Sequence, residues 1–573
     1  MRRAVFGLVA LVLLTGCSSL PESGPVTPGS ADGTPAANRG VYFDPPPPRP
    51  GDEPEQIVQN FLVAMTASPL QTTVAREYLT AEAGESWNPA ETLVYSGVTA
   101  ETSVDSVEID LHGAHRIDAR GTWRGPLTAP EARLTIPVEQ EDGEWRIAQA
   151  PNALIVPDYQ FAQAFRAAQV PWFDPSGAII VPEPVFVGTG DSLATAMVRS
   201  LLKGPAEGLE SVVRTYVPEG LTATSVPVDA EGEADVRLSG TMPRMEADAL
   251  DRLVAQFAWT LRQVPGITRF TVTVDDLPLT LPGGVTQFPV QQGSEYDPVG
   301  LVAGADLFAL AKGGGLLMGA GNGFARTSGA ADELAPGWRS LAVEPSGARA
   351  AGVTADGRGV QVASVLQNEG VETLATQATD LAEPAWDALG NLWLIDRTSA
   401  GALVMLAGGD APRRYRSRGL SGEQVRTFLV SRDGSRLVAV VAGSGSDHLV
   451  TTRVRRDDRG RVTGLTPAQR VAMPQTGPVR IRDLAWRTPT RVAILFGSSR
   501  EVSQVLTVSL DGSPNTPQTS VTTLRGDQRW LVGSPETTLP VYAVSREDAI
   551  SLDDSDRGLR LGDAKPSTVT YGG

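Results

Sequence analysis

Cysteine occurs once in the 573 residues, at Cys17, and histidine only at His112, His115 and His448. One thiol excludes a disulfide framework, and so few histidines leave a zinc site of the usual Cys/His type without its ligands. Lysine is equally scarce: Lys203, Lys312 and Lys565 are the lysines among 49 basic residues, and the formal net charge is -17. A nucleic acid or a polyanionic wall polymer would meet a field of the wrong sign, so no nucleic-acid partner is expected. Beyond the amino terminus no apolar run approaches the roughly 18 residues that a membrane-spanning helix needs. At this length the chain exceeds a single compact core, and about three or four domains are expected.

What is present begins at the amino terminus. Arg2 and Arg3 precede an apolar run from Ala4 to Leu14, which is the pattern of a secretory signal and is short for a bilayer. It ends in Leu14-Thr15-Gly16-Cys17, a lipobox, in which cleavage falls between Gly16 and Cys17 and diacylglycerol alkylates the thiol. The only cysteine stands where that chemistry requires it. Residues 1–16 are therefore expected to be a lipoprotein signal peptide, with the membrane as a partner through lipid on Cys17 and the rest of the chain outside the cell. Residues 17–53, rich in Pro, Gly and Ser and including Pro45-Pro46-Pro47-Pro48, predict an extended tether of about 100 Å at ~3.1 Å per residue.

Pro54 opens a helical pattern with Ile57, Val58, Phe61, Leu62 and Met65 on one face and Ser68-Pro69 as its stop. A short helix with Val74 and Tyr78 follows. Alternating stretches near Leu93–Tyr95, Val104–Leu111, Arg116–Trp123, Leu134–Val138 and Trp145–Ala148 then predict strands, the last introduced by the turn Asp142-Gly143. This order makes 54–157 an α+β domain that resembles the NTF2-like cone. In 158–290, Asp191 is expected to cap a helix bearing Leu193, Ala194, Met197, Val198, Leu201 and Leu202; strands are expected at Val212–Val217, Thr222–Val228 and Ala234–Leu238. A longer helix presenting Met245, Ala249, Leu253, Phe257 and Leu261 precedes a strand Phe270–Val274.

From about Val299 helical periodicity disappears and short apolar strands alternate with Gly, Asp, Pro and Ser. Leu341-Ala342-Val343-Glu344-Pro345-Ser346-Gly347, Pro384-Ala385-Trp386-Asp387-Ala388-Leu389-Gly390 and Phe428-Leu429-Val430-Ser431-Arg432-Asp433-Gly434 repeat, with turn glycines 43 and 44 residues apart. Further copies surround Leu484-Ala485-Trp486 and Trp530-Leu531-Val532. Such a period marks β-propeller blades, and 297–562 is expected to form five to seven of them; a pair of β-sandwiches would not keep the period constant.

No constellation supplies nucleophile, base and oxyanion donor together, so catalysis is not expected and no catalytic residue, metal ligand or cofactor is assigned. His112 and His115 stand in a strand-like segment interrupted by Gly113. Gly313-Gly314-Gly315 lacks the Gly-Lys-Ser/Thr end of a phosphate loop. In Gly443-Ser444-Gly445-Ser446-Asp447-His448 the serines, aspartate and histidine lie on one short stretch rather than being gathered from separate elements, as a triad would be. Asp275-Asp276 and the group Asp553, Asp554 and Asp556 suit solvated turns, the latter without the Gly and distal Glu of a calcium loop.

Leu201-Leu202-Lys203-Gly204-Pro205, Val217-Pro218-Glu219-Gly220 and Phe257-Ala258-Trp259-Thr260-Leu261 before Val264-Pro265-Gly266 resemble the GerMN domain of sporulation and germination proteins. With the lipobox, Ala75-Arg76-Glu77-Tyr78-Leu79-Thr80 and Trp87-Asn88-Pro89, the chain resembles the actinobacterial LpqB lipoprotein family. That resemblance implies a multidomain fold of N-terminal α+β (NTF2-like), α/β GerMN and C-terminal all-β propeller domains. It also implies a partner, the extracellular region of the sensor histidine kinase MtrB, and an accessory role in MtrA–MtrB signalling that influences cell-wall homeostasis, division or development. A peptidoglycan or cell-wall ligand-binding module, and a cell-envelope hydrolase, stand as alternatives.

Overall fold

The computed structural model describes residues 43–573 apart from 190–191, 300–305, 313, 321–322, 375, 409–410, 475–476, 498–500, 515–520, 547, 555–557 and 562–565. The signal peptide, Gly16, Cys17 and the first part of the tether lie outside the described residues.

Proline at a first helical turn sacrifices an N–H that has no intrahelical acceptor, and Pro54 starts the helix Pro54–Ala64, burying Ile57, Val58, Phe61 and Leu62. Short helices Thr73–Glu77 and Ala81–Ser86 follow, the second capped by the Thr80 hydroxyl, which accepts from the Ala83 N–H. One antiparallel sheet runs in the order Gly97–Thr102, Ser106–His112, Arg133–Glu141, Glu144–Ile147; its last turn places Asp142 and Gly143 at φ 53° and 83°. A second has the order Trp123–Pro126, His115–Ile117, Glu91–Tyr95, Ala153–Pro157, with the final pair parallel. The expected strand Arg116–Trp123 breaks in two because Asp118 Oδ1 accepts the backbone N–H groups of Arg120 and Thr122, both at 2.9 Å, and folds a turn between them. The expected tether also ends earlier than Glu53. Phe43 and Ser68 exchange backbone hydrogen bonds at 3.0 and 2.9 Å, and the Tyr78 hydroxyl donates to the Pro46 carbonyl at 2.8 Å. The last part of the proline-rich segment therefore lies on the folded domain.

A long hairpin, Phe165–Phe173 with Ile180–Gly188, joins this domain to the next. Phe165 and Phe186 belong to the first core, whereas Val170, Trp172, Val181 and Val185 belong to the second, so the expected boundary at 157/158 runs through shared structure. In the second domain Ser192 caps the helix Leu193–Leu202; Asp191, the expected cap, lies outside the described residues. The helix Ala247–Leu261 connects the parallel strands Glu233–Ser239 and Arg269–Val274. Of the expected strand Val212–Val217 only a single bridge, Phe173 with Arg214, forms. The fully buried Gln256 takes over part of that backbone: its side-chain oxygen accepts the Tyr216 N–H at 2.8 Å while its amide donates to the Pro171 carbonyl at 2.7 Å.

Among the described residues the carboxy-terminal part consists of six antiparallel units, here the first to sixth blades, each four-stranded except the fourth, where Gln469–Arg470 adds a fifth strand beside His448–Arg456. Their innermost strands are Thr568–Tyr571, Trp338–Val343, Ala385–Trp386, Val425–Val430, Ile481–Thr488 and Trp530–Val532. Gly347, Gly390 and Gly434, the glycines that mark the repeat, turn at φ 71°, 77° and 67°, a region that a side chain rarely tolerates. The first blade takes its innermost strand from the end of the chain: Thr568–Tyr571 pairs with Leu307–Leu310. The ring thus closes beyond the expected limit at 562. Neighbouring blades bury Val, Leu, Ile and Trp between them, each such side chain contributing about 1.5–3 kcal/mol.

Candidate functional site

Each innermost strand has two ends, and in the fourth blade they meet different surroundings. Past its far end, the turn Ser431–Ser435 leads to Arg436, which is 1% exposed and donates to Glu183 Oε1 and to the Pro182 carbonyl, both at 2.7 Å. Arg453 adds two contacts to Glu183, at 2.5 and 2.8 Å. Glu183 sits on the long hairpin, so this buried carboxylate joins the second domain to the propeller. Burial opposes its charge, but the Arg436 and Arg453 guanidiniums outweigh it and hold the carboxyl below its ordinary range.

At the opposite end the blades open into a mouth of about 1060 Å³. Arg339, Arg426 and Arg482 each take the second position of an innermost strand, in the second, fourth and fifth blades, with the same buried-exposed-intermediate start. Arg397, Arg480 and Arg529 complete the set, and three aspartates each bridge two of the six. Asp380 holds Arg339 at 2.6 Å and Arg397 at 3.0 Å; Asp447 holds Arg426 and Arg480, both at 3.0 Å; Asp527 holds Arg482 at 2.8 Å and Arg529 at 3.7 Å. The Asp447 carboxylate is fully buried, whereas those of Asp380 and Asp527 are 43% and 49% exposed. Below the rim, Glu383 and Asp483 face the axial channel. Removal from bulk water raises both carboxyls, Glu383 to about 8 with the Asp483 charge adding to the effect, and Asp483 to about 7 against two backbone hydrogen bonds.

The residues weighed from the sequence do not gather into a reactive centre. Cys17 and Gly16 lie outside the described residues. His115 stacks on Trp123, centroids 4.9 Å apart, while the His112 ring meets the Thr99 hydroxyl at 3.4 Å. Among the described residues no group of three His, Cys, Asp or Glu is placed to hold a metal. Asp275 and Asp276, at φ 46° and 63°, are the turn of a hairpin. Gly314 and Gly315 close the turn between Leu307–Leu310 and Leu316–Ala320. Ser446 hydrogen-bonds the Val479 backbone and Asp447 serves the arginines, so neither forms a triad with His448. The arginine mouth was not anticipated, yet it leaves a trace: arginine stands two residues before the repeat's core positions Leu341, Phe428 and Leu484.

Three family models match the chain in order: the N-terminal domain of lipoprotein LpqB over residues 47–162, the sporulation and spore germination domain over 169–280, and the LpqB β-propeller domain over 314–558. The chain is similar to the LpqB lipoprotein family from its N-terminal domain to its propeller. The alignments with several relatives run along most of both chains. The chain is 27% identical to lipoprotein LpqB of Thermobifida fusca, covering 95% of both chains, and 27% identical to that of Streptomyces coelicolor, covering 96% of this chain and 95% of the relative. The Mycobacterium ulcerans protein is 27% identical over 86% of each. The relatives are lipoproteins by name, and among the described residues no helix is long and apolar enough to cross a membrane. Among solved structures, the nidogen/laminin complex aligns at 13% identity over 47% of this chain and 97% of that one, with a TM-score of 0.34. YCF48 from Cyanidioschyzon merolae aligns at 14% over 43% and 76%, with a TM-score of 0.27. At such scores neither likeness bears on function.

Proposed function

We propose that the chain is a regulatory binding lipoprotein, held on the outer face of the cytoplasmic membrane by lipid on Cys17, that engages the extracytoplasmic sensor region of the histidine kinase MtrB. Through that contact it modulates MtrA–MtrB signalling and hence cell-wall homeostasis, division or development. The observation that carries this reading is similarity to the LpqB family along nearly the whole chain, from the N-terminal domain to the propeller. A propeller docked on its neighbour by a buried ion triad presents its open end as one preorganised surface, which suits recognition. An anchor and tether confine that surface near the bilayer, where a membrane-embedded partner sees an effective concentration in the ~mM range.

Crosslinking of the lipidated protein in living cells, followed by identification of the adduct, tests the partner. The expected adduct is the kinase sensor region, and purified full-length protein in detergent should retain that region in a pull-down. Retention of muropeptides without the sensor region would refute the proposal and favour the wall-ligand alternative.

A further inference from the structure

The innermost strand Val425–Val430 places Arg426 in the mouth at one end and, beyond the turn at the other, Arg436 in the Glu183 dock. The mouth therefore opens on the face turned away from the docked hairpin, and every residue lining it belongs to the propeller. Its charge is opposite to that of the chain. Six arginines share three aspartates at the rim, an excess of three positive charges in a protein of net charge -17.

We propose that this mouth is the docking site for an extended acidic segment of a protein partner, whose Asp and Glu carboxylates bind the arginine pairs now bridged by Asp380 and Asp527. The proposal rests on the regulatory-binding reading above and names the chemistry of the surface that the partner offers.

Four observations support it. The pairs are already arranged for carboxylates, because each internal aspartate is gripped from two sides by guanidiniums, which match carboxylate geometry far better than ammonium groups do. Asp380 and Asp527 are half exposed and replaceable, whereas Asp447 is sealed and also accepts the Ile481 N–H at 3.0 Å, which makes it a fixed part of the frame. Arg397 Nε and Trp530 Nε1, both on lining residues, are buried donors without an acceptor, a condition that costs about 1–3 kcal/mol per group. The cavity of about 1060 Å³ admits several residues of extended chain. A polypeptide suits this lining better than a glycan, since among the described lining residues Trp530 is the single aromatic side chain on which a sugar ring would find an apolar face.

The test uses full-length protein in detergent micelles and a fluorescein-labelled peptide of alternating Glu and Gly, with binding read by anisotropy. The Glu peptide is expected to bind, the matching Lys peptide not to, and binding should weaken as salt rises from ~50 to ~300 mM. Arg397→Gln with Arg482→Gln, one from each pair, should weaken it about tenfold. Asp527→Asn, which removes an internal competitor and frees Arg482 and Arg529, should tighten it about threefold. Should the double variant fail to fold, Asp527→Asn and Asp380→Asn decide alone, because their predicted effect has the opposite sign to damage. Absence of Glu-peptide binding, weaker binding in both Asp→Asn variants, or displacement by inorganic phosphate or muropeptide at concentrations below that of unlabelled Glu peptide would each overturn the proposal. Sensor-region binding that is equal in wild type and the double arginine variant sinks the mouth while the kinase reading stands. Glu-peptide binding at the mouth without sensor-region binding does the reverse.

Discussion

Replacing Glu183 with alanine withdraws the one carboxylate shared by Arg436 and Arg453. Arg436 is 1% exposed and cannot turn to solvent; what remains to it is the Pro182 carbonyl at 2.7 Å and Asp433 at 3.7 Å. Breaking a buried ion pair by removing one partner costs about 3–5 kcal/mol. The lower end, about 3 kcal/mol, is expected here, since the Arg453 side chain is 24% exposed and can recover water, and Asp433 still screens Arg436. The loss should appear as separation of a cooperative unfolding curve into two transitions, the propeller and its neighbour no longer melting together, in urea titrations followed by tryptophan fluorescence. Because the arginines hold the Glu183 carboxyl below its ordinary range, the stabilisation is present above the unfolded value of about 4.3 and is lost as pH falls through the folded one. The difference between wild type and Glu183→Ala should therefore shrink in acid. Glu183→Leu combined with Arg436→Met, which removes both members of that pair and leaves Asp433 accepting from the Ser431 hydroxyl and the Ser435 N–H, should return to within about 1 kcal/mol of wild type. A single variant that loses less than about 1 kcal/mol, or a double variant as unstable as the single, would refute this account of the dock.

The other expectations are separate. Cys17→Ala should leave the protein unlipidated and move it from the membrane to the soluble fraction, as read by fractionation and intact mass. Glu383→Gln with Asp483→Asn should flatten the pH dependence of stability: both carboxyls keep their proton in the folded state, up to about 8 and about 7, after the unfolded chain has released it, so wild-type stability declines as pH rises through that window. The variant should gain over wild type at pH values above that window and show no gain near pH ~4, measured as urea midpoints. Trp393→Ala, at a fully buried side chain whose indole donates to Asp387 at 3.0 Å, should cost about 3–5 kcal/mol. Truncation before Thr568 should open the ring between the first and sixth blades and expose it to protease.

The propeller was legible because its turns need positive φ. Gly347, Gly390 and Gly434 recur at that requirement, and the period follows from it. The blade count was not legible, because the first blade joins Leu307–Leu310 to Thr568–Tyr571, and no local repeat registers a pairing between the two ends of a domain. Val212–Val217 looked like a strand on β-branched composition, but the side chain of Gln256, on a helix some forty residues later, satisfies that backbone instead. Arg339, Arg426 and Arg482 lay in plain view at one register of the repeat. An arginine at the exposed start of a strand reads as solvating charge; closure of the ring is what turns scattered charges into one mouth.

That mouth also explains why aspartates persist among arginines. A lone exposed guanidinium samples many rotamers, and ordering it costs up to about 2 kcal/mol. Bridged by Asp380 or Asp527, each pair is already ordered, so an incoming carboxylate replaces like with like and meets little reorganisation. The same bridging sets a threshold. Each internal carboxylate is tethered beside its arginines at an effective concentration far above that of a free anion, so a single carboxylate or phosphate displaces it poorly. Several carboxylates linked on one chain overcome that threshold together, because the first contact makes the next intramolecular. Selection is then for the number and spacing of charges rather than for charge itself, and this is how an acidic protein can offer a basic site without collecting every small anion around it.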